Sequence, residues 1–211
     1  MSLVSQVQSP NQLKITFVGH KDVGQPNHFF LTYLFIKRVE PLYGSQHDFI
    51  GMMMSEDTAL KAGILREGDS FLGAFVFRER IVDEIDGEQS IAIKRFIVTH
   101  YTKDDIGSAM STFNASPEDR SAHDLFSSIQ LQERELAASK KRDNFKALLE
   151  GIQNYVRDHF IPVPQLSTII NSKEQELITL FKEHGFEETL TRNSPELPNQ
   201  IEHVLRLKNW R

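Results

Sequence analysis

SIAIKRFIVTHYTKDDIGSAM, residues Ser90 to Met110, passes from the character of a strand to that of a helix. Ser90 to His100 is rich in β-branched and aromatic residues. Just before it, Asp86-Gly87 supplies the dipeptide that tolerates the positive φ angles of a tight hairpin turn. Apolar side chains stand on both parities: Ile91, Ile93 and Ile97 on one, Ala92, Phe96 and Val98 on the other. A half-exposed strand would alternate, so this pattern predicts a central strand covered on two sides. After His100 the strand character stops. A short polar loop, Tyr101-Thr102-Lys103-Asp104-Asp105, then leads into Ile106-Gly107-Ser108-Ala109-Met110, the first turn of a helix. Strand, polar loop with a glycine, then helix gathers backbone N–H groups at a helix N-terminus, where they can hold an anion.

Working outward, Phe71-Leu72-Gly73-Ala74-Phe75-Val76-Phe77 lies within a second strand, Ser70 to Val82. The Asp86-Gly87 turn makes it the antiparallel partner of the first. Leu13 to Val18 is an earlier strand, and residues 1–12 are polar enough to be a disordered tail. Pro26-Asn27 opens a helix that runs through the aromatic-rich segment His28 to Val39. Asp48 to Met54 holds three consecutive methionines and suits a short strand. Ser55 to Ala62 is read as a helix with Ser55 as its cap and Gly63 just past its end. In the C-terminal half, Ser116-Pro117-Glu118 has the cap, proline and acid of a helix start. Apolar residues then recur at Leu125, Ile129, Leu136, Leu148, Ile152 and Tyr155 with helical spacing. They predict two helices, or one long bent one, over about 115–160 that Pro162 and Pro164 bring to an end. Gln165 to Ile170 is a strand, Ser172 to His184 a helix closed by Gly185, and Glu187 to Arg192 with Gln200 to Lys208 a last hairpin.

The composition narrows the classes. At 211 residues the chain fits one domain, spanning 13–211 beyond the tail, with a helical insertion about 115–160. Acidic residues outnumber basic ones by 29 to 24, for a net charge of −5, which argues against a nucleic-acid partner. With no cysteine, thiolate nucleophiles, disulfides and zinc–thiolate sites are excluded. No apolar run is long enough to span a bilayer, so no membrane partner is expected and a cytoplasmic location is the default. The eight histidines are scattered and none pairs at i, i+4, so no metal site is expected.

Two groups of residues resemble one family. Arg95-Phe96-Ile97-Val98 with Tyr101 to Met110 is similar to the acyl-CoA-binding segment of the GNAT superfamily of N-acetyltransferases, in which a Q/R-x-x-G-x-G/A loop wraps the CoA pyrophosphate. Thr102 stands at the Q/R position, Asp105 at the first glycine, and Gly107 at the second. Leu180-Phe181-Lys182-Glu183-His184-Gly185-Phe186 resembles the family's "lYeklGF", and Phe71 to Phe77 its "vGfa.l" strand. A second placement of the loop also exists: Glu135-Leu136, then Lys140-Lys141-Arg142 and Ala147-Leu148-Leu149, with Asp143 and Phe145 at the glycine positions.

The resemblance implies an α/β fold: a GNAT-like mixed, mostly antiparallel twisted sheet flanked by helices. It implies direct transfer of an acetyl or acyl group from acetyl-CoA or another acyl-CoA to the amine of a small molecule or protein, and it allows a homodimer. Backbone N–H groups near Ile97 and Val98 would receive the thioester oxygen. Tyr101, Thr102, Lys103, Asp105, Gly107 and Ser108 would surround the CoA phosphates. Phe181 occupies the place of the family's proton-donating tyrosine. Glu79 on the neighbouring strand and His100 at the strand end are the candidate bases. Two alternatives stay open: a catalytically degenerate GNAT-fold module that binds CoA, another ligand or a partner, and an acyltransferase similar to autoinducer synthases, suggested by Arg95-Phe96-x-Val98.

Overall fold

The computed structural model describes residues 13–18, 25–44, 60–82, 89–115, 121–195, 197, 199–208 and 210. The tail at 1–12, the Asp48–Met54 segment, the Asp86-Gly87 turn and the Ser116-Pro117-Glu118 helix start lie outside them. Among the described residues, seven strands form one sheet: β1 (Leu13–Val18), β2 (Leu60–Glu67), β3 (Ser70–Val82), β4 (Gln89–Thr102), β5 (Gln165–Asn171), β6 (Phe186–Asn193) and β7 (Ile201–Leu207). Their order is β1-β2-β3-β4-β5-β7-β6. All neighbours are antiparallel except β4 and β5, which run parallel. β3 and β4 pair as their flanking turn predicts, with Phe75 opposite Phe96 and Ala74 opposite Ile97.

One face of the sheet carries α1 (Pro26–Leu34), which continues through a π-helical stretch (Phe35–Val39) into α2 (Glu40–Tyr43). This aromatic segment is helical, as its length suggested, and Phe30, Leu31 and Leu34 are fully buried. Also on this face are α3 (Lys103–Asn114) and α4 (Ala122–Ser128), which add Ile106, Ala109 and Phe126 to the core around Phe71 and Tyr101. The other face carries α5 (Ala138–His159) and α6 (Gln175–Glu183). α5 buries Phe145, Leu148, Leu149, Ile152 and Val156, a stripe at i, i+3, i+4 spacing that faces the sheet. Each such side chain contributes roughly 1.5–3 kcal/mol by leaving water. Among the described residues no helix is long and apolar enough to cross a membrane.

Two local expectations are corrected. The helix read over Ser55 to Ala62 fails at its described end, because Leu60, Ala62 and Gly63 belong to β2. There Leu60, Ala62 and Ile64 alternate onto one buried face, a period of two that the Gly63 "stop" concealed. A Cβ on Gly63 would lie 2.4 Å from the Phe75 ring, so this glycine serves close packing between strands and not a helix end. The polar loop at Tyr101 to Asp105 is not a loop: Tyr101 and Thr102 complete β4, and α3 begins at Lys103. Within 115–160 the described residues form two helices, α4 and α5, the first of the two arrangements expected, and residues 129–137 between them are neither helix nor strand. α5 is the crossover that any parallel pair such as β4 and β5 requires.

Candidate active site

β4 and β5 pair only from Ser90–Gln165 to Ile93–Thr168. Beyond that point β4 stays paired to β3 and β5 to β7, but the two strands diverge. The divergence coincides with a β-bulge: Val76 faces Arg95 and Phe77 faces Ile93, which leaves Lys94 as an extra residue in β4. The bulge reverses the alternation. Ile91, Ile93 and Phe96 pack with α5 and α6 on one face, while Ile97 packs against the α1 side. Because β5 has left, the β4 edge past Ile93 offers backbone groups that no strand on that side pairs. At the branch point the Thr168 hydroxyl donates to the Ile93 carbonyl at 3.1 Å.

A cavity of about 360 Å³ fills the gap. Its floor is Lys94 to Val98 of β4 and Thr168 to Ile170 of β5, and it takes walls from both faces of the sheet. From the π-helical stretch and α2 come Arg38, Val39, Leu42 and Tyr43; from the α5 start comes Lys141; from the β5–α6 junction and α6 come Lys173 to Leu177 and Leu180. Arg38, Lys94, Arg95, Lys141 and Lys173 outnumber Glu174 and Glu176 in the lining, so it favours an anionic occupant.

One network stands inside it. The Tyr43 hydroxyl donates to Oε2 of Glu174 and accepts from the Asn171 N–H at 2.9 Å. The Arg95 guanidinium lies 3.9 Å over the Tyr43 ring. Burial, the Glu174 charge and the bond to Glu174 push the Tyr43 phenol well above its ordinary range, so it remains a donor. Glu174 is also raised, by burial, against the opposing pull of Tyr43, Arg95 and Arg38. Glu176, the second acid of the lining, is engaged by Lys141 at 2.5 Å.

The two candidate phosphate loops differ physically. At α3, Thr102 and Asp105 form a capping box: Asp105 accepts from the Thr102 N–H at 2.8 Å and from its hydroxyl at 2.6 Å. These bonds hold the Asp105 carboxyl below its usual range, and the N-terminus of α3 already holds its anion. The N-cap residue of α5 is Ala137, which has no side chain to cap with. Its first turns carry Lys140, Lys141 and Arg142, set against Glu67, Glu176 and Glu183. Lys141 opens on the cavity. Asn144, one turn further along α5, is fully buried, and neither of its side-chain polar atoms has a partner among the described residues.

This arrangement of strands and helices has counterparts among solved structures. The chain has the GNAT fold. An N-acetyltransferase from Staphylococcus aureus Mu50 matches over 93% of this chain and 97% of its own, with 14% identity and a TM-score of 0.54. NAA60 of Arabidopsis thaliana in complex with acetyl-CoA matches over 92% and 97%, with 10% identity and a TM-score of 0.55. An aminoglycoside N(6')acetyltransferase from Legionella pneumophila matches over 95% of both chains, with 9% identity and a TM-score of 0.52. No protein-family model matches the sequence, and no curated protein matches it.

Set on the GNAT fold, the expected site residues scatter. Ile97 and Val98 line the cleft. Tyr101 is buried among Phe30 and Tyr33 on the α1 side. Thr102 and Asp105 cap α3, Lys103 lies 3.8 Å from Asp69, and Gly107 and Ser108 are exposed on α3. None of these six lines the cavity. Phe181 is fully buried against Phe96, Phe145 and Phe186 and does not reach the cavity either. Glu79 accepts from the Tyr155 hydroxyl at 2.8 Å near the far end of α5. His100 lies past the cleft, where its carbonyl accepts from the Arg134 N–H at 3.0 Å. The residues that sequence reasoning missed are Tyr43, Glu174 and Arg95. Glu174 had a signal: it follows the C-terminal end of a parallel strand, where open sheets bind their ligands.

Proposed function

We propose that the protein is an acyl-CoA-dependent N-acyltransferase, moving an acetyl or acyl group directly from the CoA thioester to an amine in the β4–β5 cleft. The observation that carries this reading is the splay itself. Past Ile93, the β4 edge lines a partly enclosed cavity and is no longer paired by β5. Donors fixed before reaction stabilise a developing oxyanion without reorganising. Ile97 and Val98, half-buried and in the lining, are the residues to supply them. The fold neighbours support the co-substrate, since one is a complex with acetyl-CoA, and the acceptor is an amine of a small molecule or a protein.

In this reading the CoA phosphates lie at the start of α5, not α3. An uncapped helix N-terminus rimmed by Lys140, Lys141 and Arg142 favours phosphate, whereas a second anion at Asp105 would meet like charge. The acyl-CoA brings an activated carbonyl, and the chain contributes position, backbone dipoles and proton acceptance. Isothermal titration with acetyl-CoA at low salt tests the reading. Wild type should bind; Lys141→Glu should bind about tenfold more weakly, a change of about 1.4 kcal/mol; Asp105→Gly should bind as wild type does. Absence of binding to wild type would overturn it.

A further inference from the structure

We infer that Glu174 is the residue that accepts the proton of the acceptor amine in this cleft. The inference rests on the acyltransferase reading above. It starts from the two carboxylates in the cavity lining. Glu176 is exposed and ion-paired with Lys141, whereas Glu174 is the half-buried carboxylate of the lining. Its Oε2 is held by the Tyr43 hydroxyl, and Oε1 has no hydrogen-bond donor among the described residues. One oxygen is therefore oriented and the other is left to a ligand. The groups facing Glu174 are Tyr43 from α2, Arg38 from the π-helical stretch and Arg95 from β4, with Lys173 beside it in the chain. Burial outweighs the two guanidinium charges and leaves the carboxyl more basic than an exposed one. That brings it closer to neutrality, where a general base works best.

The step balances as follows. An acceptor ammonium gives one proton to Oε1 of Glu174 and becomes a neutral amine. The nitrogen lone pair forms the C–N bond to the thioester carbon, and the C–S bond breaks with its electron pair on sulfur. The second proton shed by nitrogen neutralises the thiolate through solvent. Glu174 then returns its own proton to solvent. Tyr43 acts through Glu174 and is a positioning residue.

The absence of cysteine makes the assay direct, because a thiol reagent then reads only the CoA released. Wild type and Glu174→Gln are compared with acetyl-CoA and a panel of primary amines: small diamines, an aminoglycoside and short peptides with free N-termini. The amide keeps the shape and still accepts from Tyr43. Glu174→Gln should lower kcat about 100-fold or more near neutrality. Its residual rate should climb about tenfold per pH unit where the wild-type rate has levelled off. Acetyl-CoA affinity and melting temperature should stay at or above wild type. A Glu174→Gln protein with wild-type kcat and pH profile overturns the inference. So does a wild type that binds acetyl-CoA but releases no CoA with any amine, while the donor-site reading survives. Failure of wild type to bind acetyl-CoA removes the reading beneath it instead.

Discussion

Thr168 closes the branch between β4 and β5 by donating its hydroxyl to the carbonyl of Ile93, the residue opposite it in the last parallel pair. The bond satisfies a carbonyl at the point where strand pairing ceases, and Thr168 is almost fully buried. Thr168→Val keeps the shape but removes the donor. It should lower stability by about 1–2 kcal/mol, as expected for a buried acceptor left unmet. Thr168→Ser should recover most of that, with urea denaturation as the measure.

Asp105 completes the capping box of α3. Asp105→Ala breaks the reciprocal cap with Thr102 and should cost about 1 kcal/mol of stability. Acetyl-CoA affinity should not change in parallel. A tighter complex would return the phosphate site to α3.

Phe181→Tyr does not restore a missing acid. The ring is enclosed by Phe96, Phe145 and Phe186, so the added hydroxyl is buried among rings that cannot accept it. The expected outcome is a loss of roughly 1–3 kcal/mol by thermal or urea unfolding, with no gain in turnover.

Tyr43→Phe removes a hydrogen bond that lowers the Glu174 pKa, so that pKa should rise further. A base must be ionised to act, and the acidic limb of the rate profile should therefore move to higher pH. Turnover measured from about pH 5 to 9 shows the displacement. A limb that stays put, or moves down, would separate Tyr43 from Glu174.

Glu188 governs acid tolerance in the final hairpin. Bonds from Lys182 at 2.8 Å, Thr191 at 2.5 Å and His203 at 3.0 Å hold its pKa down, at about 2. A depressed carboxyl contributes stability above its ordinary value of 4.5, and that contribution is lost as pH falls from there toward about 2. Glu188→Gln should flatten the stability curve over that interval and change it little above pH 6.

The strand pair, the aromatic helix and the final helix–hairpin unit were legible because local pattern and tertiary environment agree there. Phe71 to Phe77 and Ser90 to His100 are apolar on both parities, and both strands are covered on both faces. The cleft was legible only at Ile97 and Val98. Parity placed Ile91, Ile93 and Ile97 together, but the bulge at Lys94 puts Ile97 on the opposite face from Ile93. Of the two candidate phosphate loops, the first ends β4 and caps α3, and the second opens on the cleft at Lys141, with a long excursion between them. Nothing local marks the Arg134 bond to His100 that brings the excursion back. Tyr43 and Glu174 are 131 residues apart and meet only in the folded sheet.

The bulge at Lys94 makes the cleft depend on a residue count as well as on residue identities. Replacing Lys94 keeps the count. Losing one codon there would remove the bulge: Ile93, Phe96 and Val98 would stay on the α5 face and Arg95 and Ile97 on the α1 face, but the ladder with β3 would run straight through the point where β4 and β5 now diverge. In a lineage of such sequences, insertions and deletions should be excluded at this position even where substitutions are accepted freely.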